Sequence, residues 1–269
     1  MNIAVILSGG SGTRLGGETP KQYLVSEGRS MIERAMEPFF LHAEIDAVWI
    51  VAEEAWRESI LADIGRLATD SGFSGGSTAS YGLRRRSAEE ILQMRLGFSD
   101  PGETRALSIL NALRDLKDIA SEQDVVIIHD AARPFVSKEL ISRLIDACQS
   151  HDGALPVLPM KDTVYLLPEG MRADTPEEAE DGISSVISLL PRERVAAGQA
   201  PEAFRFGKYL AANEALLPEK IGAVNGSAEV ALLAGMRIAV VTGEEDNFKV
   251  TTKEDMERYH LELSARGRY

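Results

Sequence analysis

Short runs of β-branched and other apolar residues recur along the chain, separated by stretches whose apolar residues return at helical spacing. The runs fall at residues 2–7, 47–52 (AVWIVA), 124–130 (DVVIIHD), 153–160 (GALPVLPM) and 236–243 (MRIAVVTG). Between them, Ser30 to Leu41, Leu107 to Leu116 and Ser137 to Cys148 carry the helical pattern. Parallel strands need crossovers of this length, so the alternation predicts a mostly parallel sheet covered by helices. With 269 residues and 44% hydrophobic side chains, the chain has enough apolar material for a packed core. The expectation is an α/β fold, a Rossmann-like three-layer sandwich, as a single domain over residues 1–269.

Two segments break the rhythm. Residues 69–101 begin rich in glycine and serine and continue as a basic, helix-forming piece, which reads as an insertion between sheet elements: a surface loop or a lid. Residues 163–197 start as an extended run (TVYLLPEG), pass through the acidic stretch TPEEAEDG, and return as SSVISLLPRERV. That pattern predicts a projecting β-arm of the kind that pairs with a second subunit, so a homodimer is expected.

Composition bounds the partners. Forty-two acidic against twenty-nine basic residues leave a formal charge of −13, which argues against nonspecific binding to nucleic acid or an anionic membrane. The lone cysteine, Cys148, excludes an intrachain disulfide. No apolar run of membrane-spanning length and no signal-peptide pattern precedes the first strand, so a cytoplasmic protein is expected.

The first apolar run leads into LSGGSGTRLGGETPKQY, residues 7–23. Glycines after a strand let backbone N–H groups approach phosphate oxygens, although a tight surface turn uses them equally well. The dinucleotide fingerprint fails because Leu15 stands where its third glycine belongs, and the P-loop fails because Glu18 and Thr19 follow Gly17. What remains is Gly10-Ser11-Gly12-Thr13-Arg14, then Pro20-Lys21-Gln22: two cations on one glycine-rich loop. Such cations suit a departing pyrophosphate better than a nicotinamide ring. Further along, VVIIHDAARPF ends a strand in an acid, and open α/β sheets place ligands at the carboxyl ends of their strands. Asp130 is therefore a candidate metal ligand, with helix capping as its structural alternative. Mg²⁺ needs only one or two protein carboxylates when phosphate oxygens complete its sphere. His129 reads as a packing residue, and His42, His151 and His260 show no metal-ligand spacing.

These segments, taken in order with KDTVY, GQAPEAF and DNFKVTT, resemble the sugar-phosphate nucleotidyltransferase superfamily. More narrowly, they resemble the 2-C-methyl-D-erythritol 4-phosphate cytidylyltransferases and the related ribitol-5-phosphate cytidylyltransferases. The resemblance runs from Met1 to about Met256, apart from the insertion. It implies that Arg14, Lys21 and Lys249 hold the triphosphate and stabilise the transferring phosphoryl group. By the same resemblance Ser8, Gly9, Gly10 and Gly12 supply backbone contacts to the nucleotide, and Thr13 orders the turn. Gly102, Glu103, Arg105 and Ser108 fall where the family reads the cytosine ring. Arg133, Thr163, Arg192 and Asn225 fall on the acceptor side, Arg192 with Arg194 as a rival and with reach toward a partner subunit. Asp246 and Asn247 would complete a Mg²⁺ shell begun by Asp130.

The implied reaction transfers CMP from CTP to a polyol or sugar phosphate and releases pyrophosphate. The attacking phosphate is already an anion near neutral pH, which accounts for the lack of a Ser/His/Asp arrangement or a catalytic cysteine. Two departures bear on the acceptor. Ala200 replaces the threonine of the family's Thr-Pro-Gln, and Asn225-Gly226-Ser227-Ala228 stands for Thr-Asp-Asp-Ala. Sites that bind substrate hydroxyls discriminate through such groups, so the acceptor stays open between erythritol and ribitol phosphates. A noncatalytic CTP-binding regulator is the reading from another class.

Overall fold

The structure, a computed structural model, describes residues 1–10, 19–70, 86–171, 185–218 and 220–266. β1 (Asn2–Leu7) is almost wholly buried and leads, past the glycine-rich loop, to a small hairpin of β2 (Val25–Ser26) and β3 (Arg29–Ser30). Helix α1 (Met31–Leu41) crosses to β4 (Ala47–Val51), and α2 (Glu54–Asp70) follows. Next come α3 (Ala88–Leu92), β5 (Arg95–Ser99), α4 (Arg105–Asp115), β6 (Val125–Asp130) and α5 (Lys138–Cys148). After β7 (Gly153–Pro159) the chain forms β8 (Val164–Leu166), β9 (Ser188–Leu190), β10 (Ala196–Gly198) and β11 (Glu202–Arg205). It closes with α6 (Phe206–Glu214), α7 (Ser227–Leu233), β12 (Ile238–Thr242) and α8 (Lys253–Arg266).

Among the described residues the main sheet runs β10-β7-β11-β6-β1-β4-β5, with β12 also paired to β7. The pairs β5–β4, β4–β1, β1–β6 and β7–β12 are parallel, whereas β11 is antiparallel to both β6 and β7. Successive side chains of a strand face opposite sides, and the strands feed two cores accordingly. Ala4, Ile6, Val48, Ile50 and Ile127 pack with α1, α2 and α5 on one face, while Ile3, Val5, Val126, Ile128 and Phe204 pack with α4, α6 and α7 on the other. All five sequence-predicted strands and all three predicted helices are present within a few residues of their expected limits.

The reading of residues 69–101 as an insertion needs correction. Residues 71–85 lie outside the described residues, but Arg95–Ser99 is a strand of the main sheet, in parallel register with Ala47–Val51. Its alternation is half polar, with Leu96 and Phe98 inward between Arg95, Gly97 and Ser99, so it lacks the continuous apolar run that marks the interior strands. Gly97 is required by a close approach: a Cβ there would sit 2.2 Å from the Trp49 ring, which lies against it and donates through Nε1 to Ser99 Oγ at 2.8 Å. The β-arm is present at its base, where β8 and β9 pair antiparallel with Val164 opposite Leu190; residues 172–184 lie outside the described residues. Among the described residues no helix is long and apolar enough to cross a membrane.

Helix α1 shows how local sequence sets an element. Ser30 is its N-cap, accepting from the Glu33 backbone N–H at 3.1 Å, and its hydroxyl donates to buried Asp63 at 2.6 Å. The wholly buried Glu33 carboxylate pairs instead with Arg29 at 2.7 Å and Arg66 at 2.9 Å. Ser30→Ala removes the cap and one partner of Asp63, and should lower unfolding free energy by about 1–2 kcal/mol. Urea denaturation checks this, and an unchanged midpoint would show that the cap contributes nothing.

Candidate active site

The sheet topology chooses where a ligand goes. From β1 the chain crosses outward to β4 and β5, then returns over the sheet to β6 on the other side of β1. Reversal at this point opens a crevice at the carboxyl ends of β1 and β6, where α/β sheets bind ligands. The register places Leu7 opposite Asp130, so the glycine-rich loop and the strand-end carboxylate leave the sheet side by side.

A cleft of about 710 Å³ occupies this crevice. Ser8, Gly9, Gly10 and Lys21 line it from the first loop, Gly102, Glu103 and Ser108 from the entry to α4, and Asp130 and Lys249 from the strand end and the last loop. With Arg105 at the start of α4, ten sequence-predicted site residues therefore meet at one place. Gly12, Thr13 and Arg14 lie outside the described residues.

The loop is tied down by neighbours. Ser8 is buried and donates to Val51 O at 2.8 Å; Tyr23 Oη donates to Ser8 O at 3.1 Å. Gln22 Nε2 donates to Ser8 O at 2.6 Å and Gly10 O at 2.7 Å, so the residue after Lys21 fixes both sides of the loop's entry. Gly9 is required sterically, since a Cβ would fall 2.3 Å from Pro101 Cβ on the opposing wall. Across the cleft, Thr104 caps α4 and Ser108 Oγ accepts from the Gly102 backbone N–H at 3.0 Å.

Asp130 is the electrostatic centre. Lys249 Nζ lies 2.9 Å, Arg105 Nε 3.2 Å and Arg133 Nε 3.8 Å from its carboxylate oxygens. Burial by itself would raise this carboxyl, but Arg105, Lys249 and Arg133 together hold it well below the usual carboxylate range. The neighbouring His129 points to the opposite face, touching Phe39, and its Nε2 lies 3.0 Å from Arg133 O. Burial pushes its imidazole down to about 4, so it stays neutral at physiological pH and belongs to the packing, as its position suggested.

Several expected residues stand elsewhere. Arg133 is behind the cleft, donating through Nη1 to Asn247 O at 2.8 Å, and burial lowers its pKa. Asn247 is wholly buried and donates to Ala200 O at 2.7 Å. It does not line the cleft, and its amide clamps two loops together, which corrects its expected place in a metal shell. Asp246 faces solvent and pairs with Arg266 at 3.1 Å, at the tip of a turn closed by the Asn247 N–H donating to Glu244 O at 3.1 Å. Thr163 and Arg192 lie at the base of the arm; both are exposed, neither lines the cleft, and Arg192 donates to Lys161 O at 3.1 Å. Asn225 borders a small recess beside the cleft, shared with Arg105, Tyr209 and Ser227.

Sequence reasoning left Glu202 without a role and drew Arg105 only from the resemblance. Arg105 lines both the cleft and the recess, and its guanidinium reaches Asp130, the Ser227 hydroxyl and, at 3.8 Å, Glu202. Glu202 sits opposite Ile128 in the β11–β6 register, on the same face as Asp130. No local pattern marks it, because its partners come from three separate elements.

The family model described as "IspD: 2-C-methyl-D-erythritol 4-phosphate cytidylyltransferase" matches residues 84–264. A Thermosipho melanesiensis protein bearing that enzyme name is 31% identical over 256 residues, covering 95% of each chain. The solved 4-diphosphocytidyl-2C-methyl-D-erythritol synthase of Anaerococcus prevotii superimposes with a TM-score of 0.70 at 23% identity, covering 98% of this chain and 96% of its own. The Francisella tularensis 2-C-methyl-D-erythritol 4-phosphate cytidylyltransferase superimposes with a TM-score of 0.69 at 22% identity, covering 97% and 99%. The structural likenesses establish the shared fold, and the family match spans well over half of the chain. By fold, by motif order and by sequence, the chain belongs to the 2-C-methyl-D-erythritol 4-phosphate cytidylyltransferase (IspD) family.

Proposed function

We propose that the protein transfers CMP from CTP to 2-C-methyl-D-erythritol 4-phosphate, a step in isoprenoid precursor synthesis. The observation that carries this reading is the meeting of Gly10, Lys21, Asp130 and Lys249 in one cleft at the β1/β6 switch point. An oxygen of the acceptor phosphate attacks the α-phosphorus; the bond from the α-phosphorus to its bridging oxygen breaks; pyrophosphate leaves with that electron pair. No general base is needed, so catalysis is positioning plus charge neutralisation. The bare backbone of Gly9 and Gly10 admits the phosphates, Lys21 and Arg14 meet their charge, and the segment from Gly102 to Ser108 faces the cytosine. The Lys249 side chain is 39% exposed whereas Asp130 is buried, so the ammonium can turn toward a phosphate while Arg105 and Arg133 stay beside the carboxylate.

A divalent ion, Mg²⁺ in this proposal, fits the donor set as one held jointly by protein and substrate. Among the described residues no cluster of three or more His, Cys, Asp or Glu side chains forms a cage, yet Asp130 presents a deprotonated carboxylate where phosphates would lie. When bound there, the ion would neutralise charge on the departing pyrophosphate.

The acceptor side is proposed to be completed by a second copy. Thr163 and Arg192 stand away from this chain's own cleft, on an arm exposing Tyr165, Ile187 and Leu189 at 54%, 60% and 61%. An unpaired apolar ribbon of this kind marks an interface.

Pyrophosphate release should be seen with CTP and 2-C-methyl-D-erythritol 4-phosphate and should be much weaker with UTP. Preference for ribitol 5-phosphate would transfer the assignment to that acceptor, and CTP binding without turnover on either would favour a regulator. Lys21→Ala should lower turnover by about 10²–10³-fold with circular dichroism unchanged; near-normal turnover would remove Lys21 from the mechanism. Leu189→Asp should convert a dimer to monomer in light scattering and depress activity with it, whereas a monomeric parent protein would exclude the arm from the site.

A further inference from the structure

We infer that Glu202 is a positioning residue that acts through Arg105 to hold the wall between the nucleotide cleft and the acceptor side. Alternate residues of a strand share a face, and Glu202 opposes Ile128, two residues before Asp130. Both carboxylates therefore project toward α4 and α7, and Arg105, the first residue of α4, lies between them. Its Nε is 3.2 Å from Asp130, its Nη2 is 3.8 Å from Glu202, and its Nη1 donates to Ser227 Oγ. The planar fork of arginine suits a three-way bridge that a lysine could not make.

Helix α7 begins beyond Gly226, which offers no side-chain cap. Glu202 faces this helix start: the Ser227 side chain and the Ala228 backbone N–H both interact with its carboxyl, which burial pushes above the ordinary glutamate value. A carboxylate kept in so desolvated a place needs the Arg105 charge beside it. Without it the guanidinium would close on Asp130, already paired with Lys249, and the stretch carrying Asn225 would lose its tie to the sheet. Against the motifs described above, Glu202 stands where the family has glutamine and Ser227 where it has aspartate. A carboxylate has thus moved across Arg105, from the helix to the strand.

The inference rests on the cytidylyltransferase reading for its acceptor. In E202Q, which keeps shape and loses charge, the KM for 2-C-methyl-D-erythritol 4-phosphate should rise about tenfold while that for CTP changes less than about threefold, as expected for loss of one buried ion pair on one wall. E202Q/S227D, which returns a carboxylate beside Arg105, should recover the acceptor KM. Ligand-free crystals of E202Q should show Arg105 closed on Asp130 and detached from Ser227. Unchanged acceptor binding, an equal rise in both KM values, or Arg105 unmoved would overturn the proposal. Should E202Q fail to fold, the double variant carries the test: recovery supports charge sharing, while a folded but unrecovered, or unfolded, double variant refutes it. The Arg105 position needs no substrate, so a parent chain inactive on 2-C-methyl-D-erythritol 4-phosphate would sink the functional reading and leave Glu202 to be judged on the crystals alone.

Discussion

A carboxylate at the rim of a packed core must be paired or must give up its charge. Asp130 keeps its charge because Arg105, Arg133 and Lys249 converge on it from α4, from the loop after β6 and from the loop before α8. That convergence ties together segments spread over more than half of the chain. It also leaves the cleft richer in cations than in the carboxylate they surround, and Lys21 adds to them from the opposite loop. A polyphosphate entering the cleft meets charge already oriented, which is the form of stabilisation that costs no reorganisation during reaction.

The sheet supplies the second condition. Parallel register between β1 and β6 sets the glycine-rich loop against Asp130, and Gln22 and Tyr23 hold the loop's carbonyls from the far side. Gly9 abuts Pro101, so the walls of the cleft approach more closely than side chains on both would permit. The bare backbone of Gly9 and Gly10 is in this way fixed by the interior strands and not by the loop's own preferences.

The wall beside the small recess is built differently. Arg105, Glu202 and Ser227 share one junction, Asn247 clamps Ala200, and Asn225 stands at the small recess beside them. Ala200 and Asn225, the two departures from the family's hydroxyls, therefore belong to a wall whose charges have also been rearranged. The junction that holds the start of α7 is therefore also the wall on which both departures lie.

The amino-acid sequence by itself determined the parallel sheet, the three helices it marked, the glycine-rich character of the first loop and the strand-end position of Asp130. These are local properties: apolar period, strand endings, glycines and cations within a few residues of one another. The tertiary structure decided that Arg95–Ser99 is a sheet strand, since an edge strand with one polar face has no distinctive local period. It also decided that Asn247 clamps a loop and that Arg105 joins Ser227, 122 positions away. Arg192 and Thr163, which the resemblance set on the acceptor side, stand apart from this chain's cleft. Where a side chain points, and which distant charge it meets, follows from strand register and helix docking, and no window of sequence contains that information.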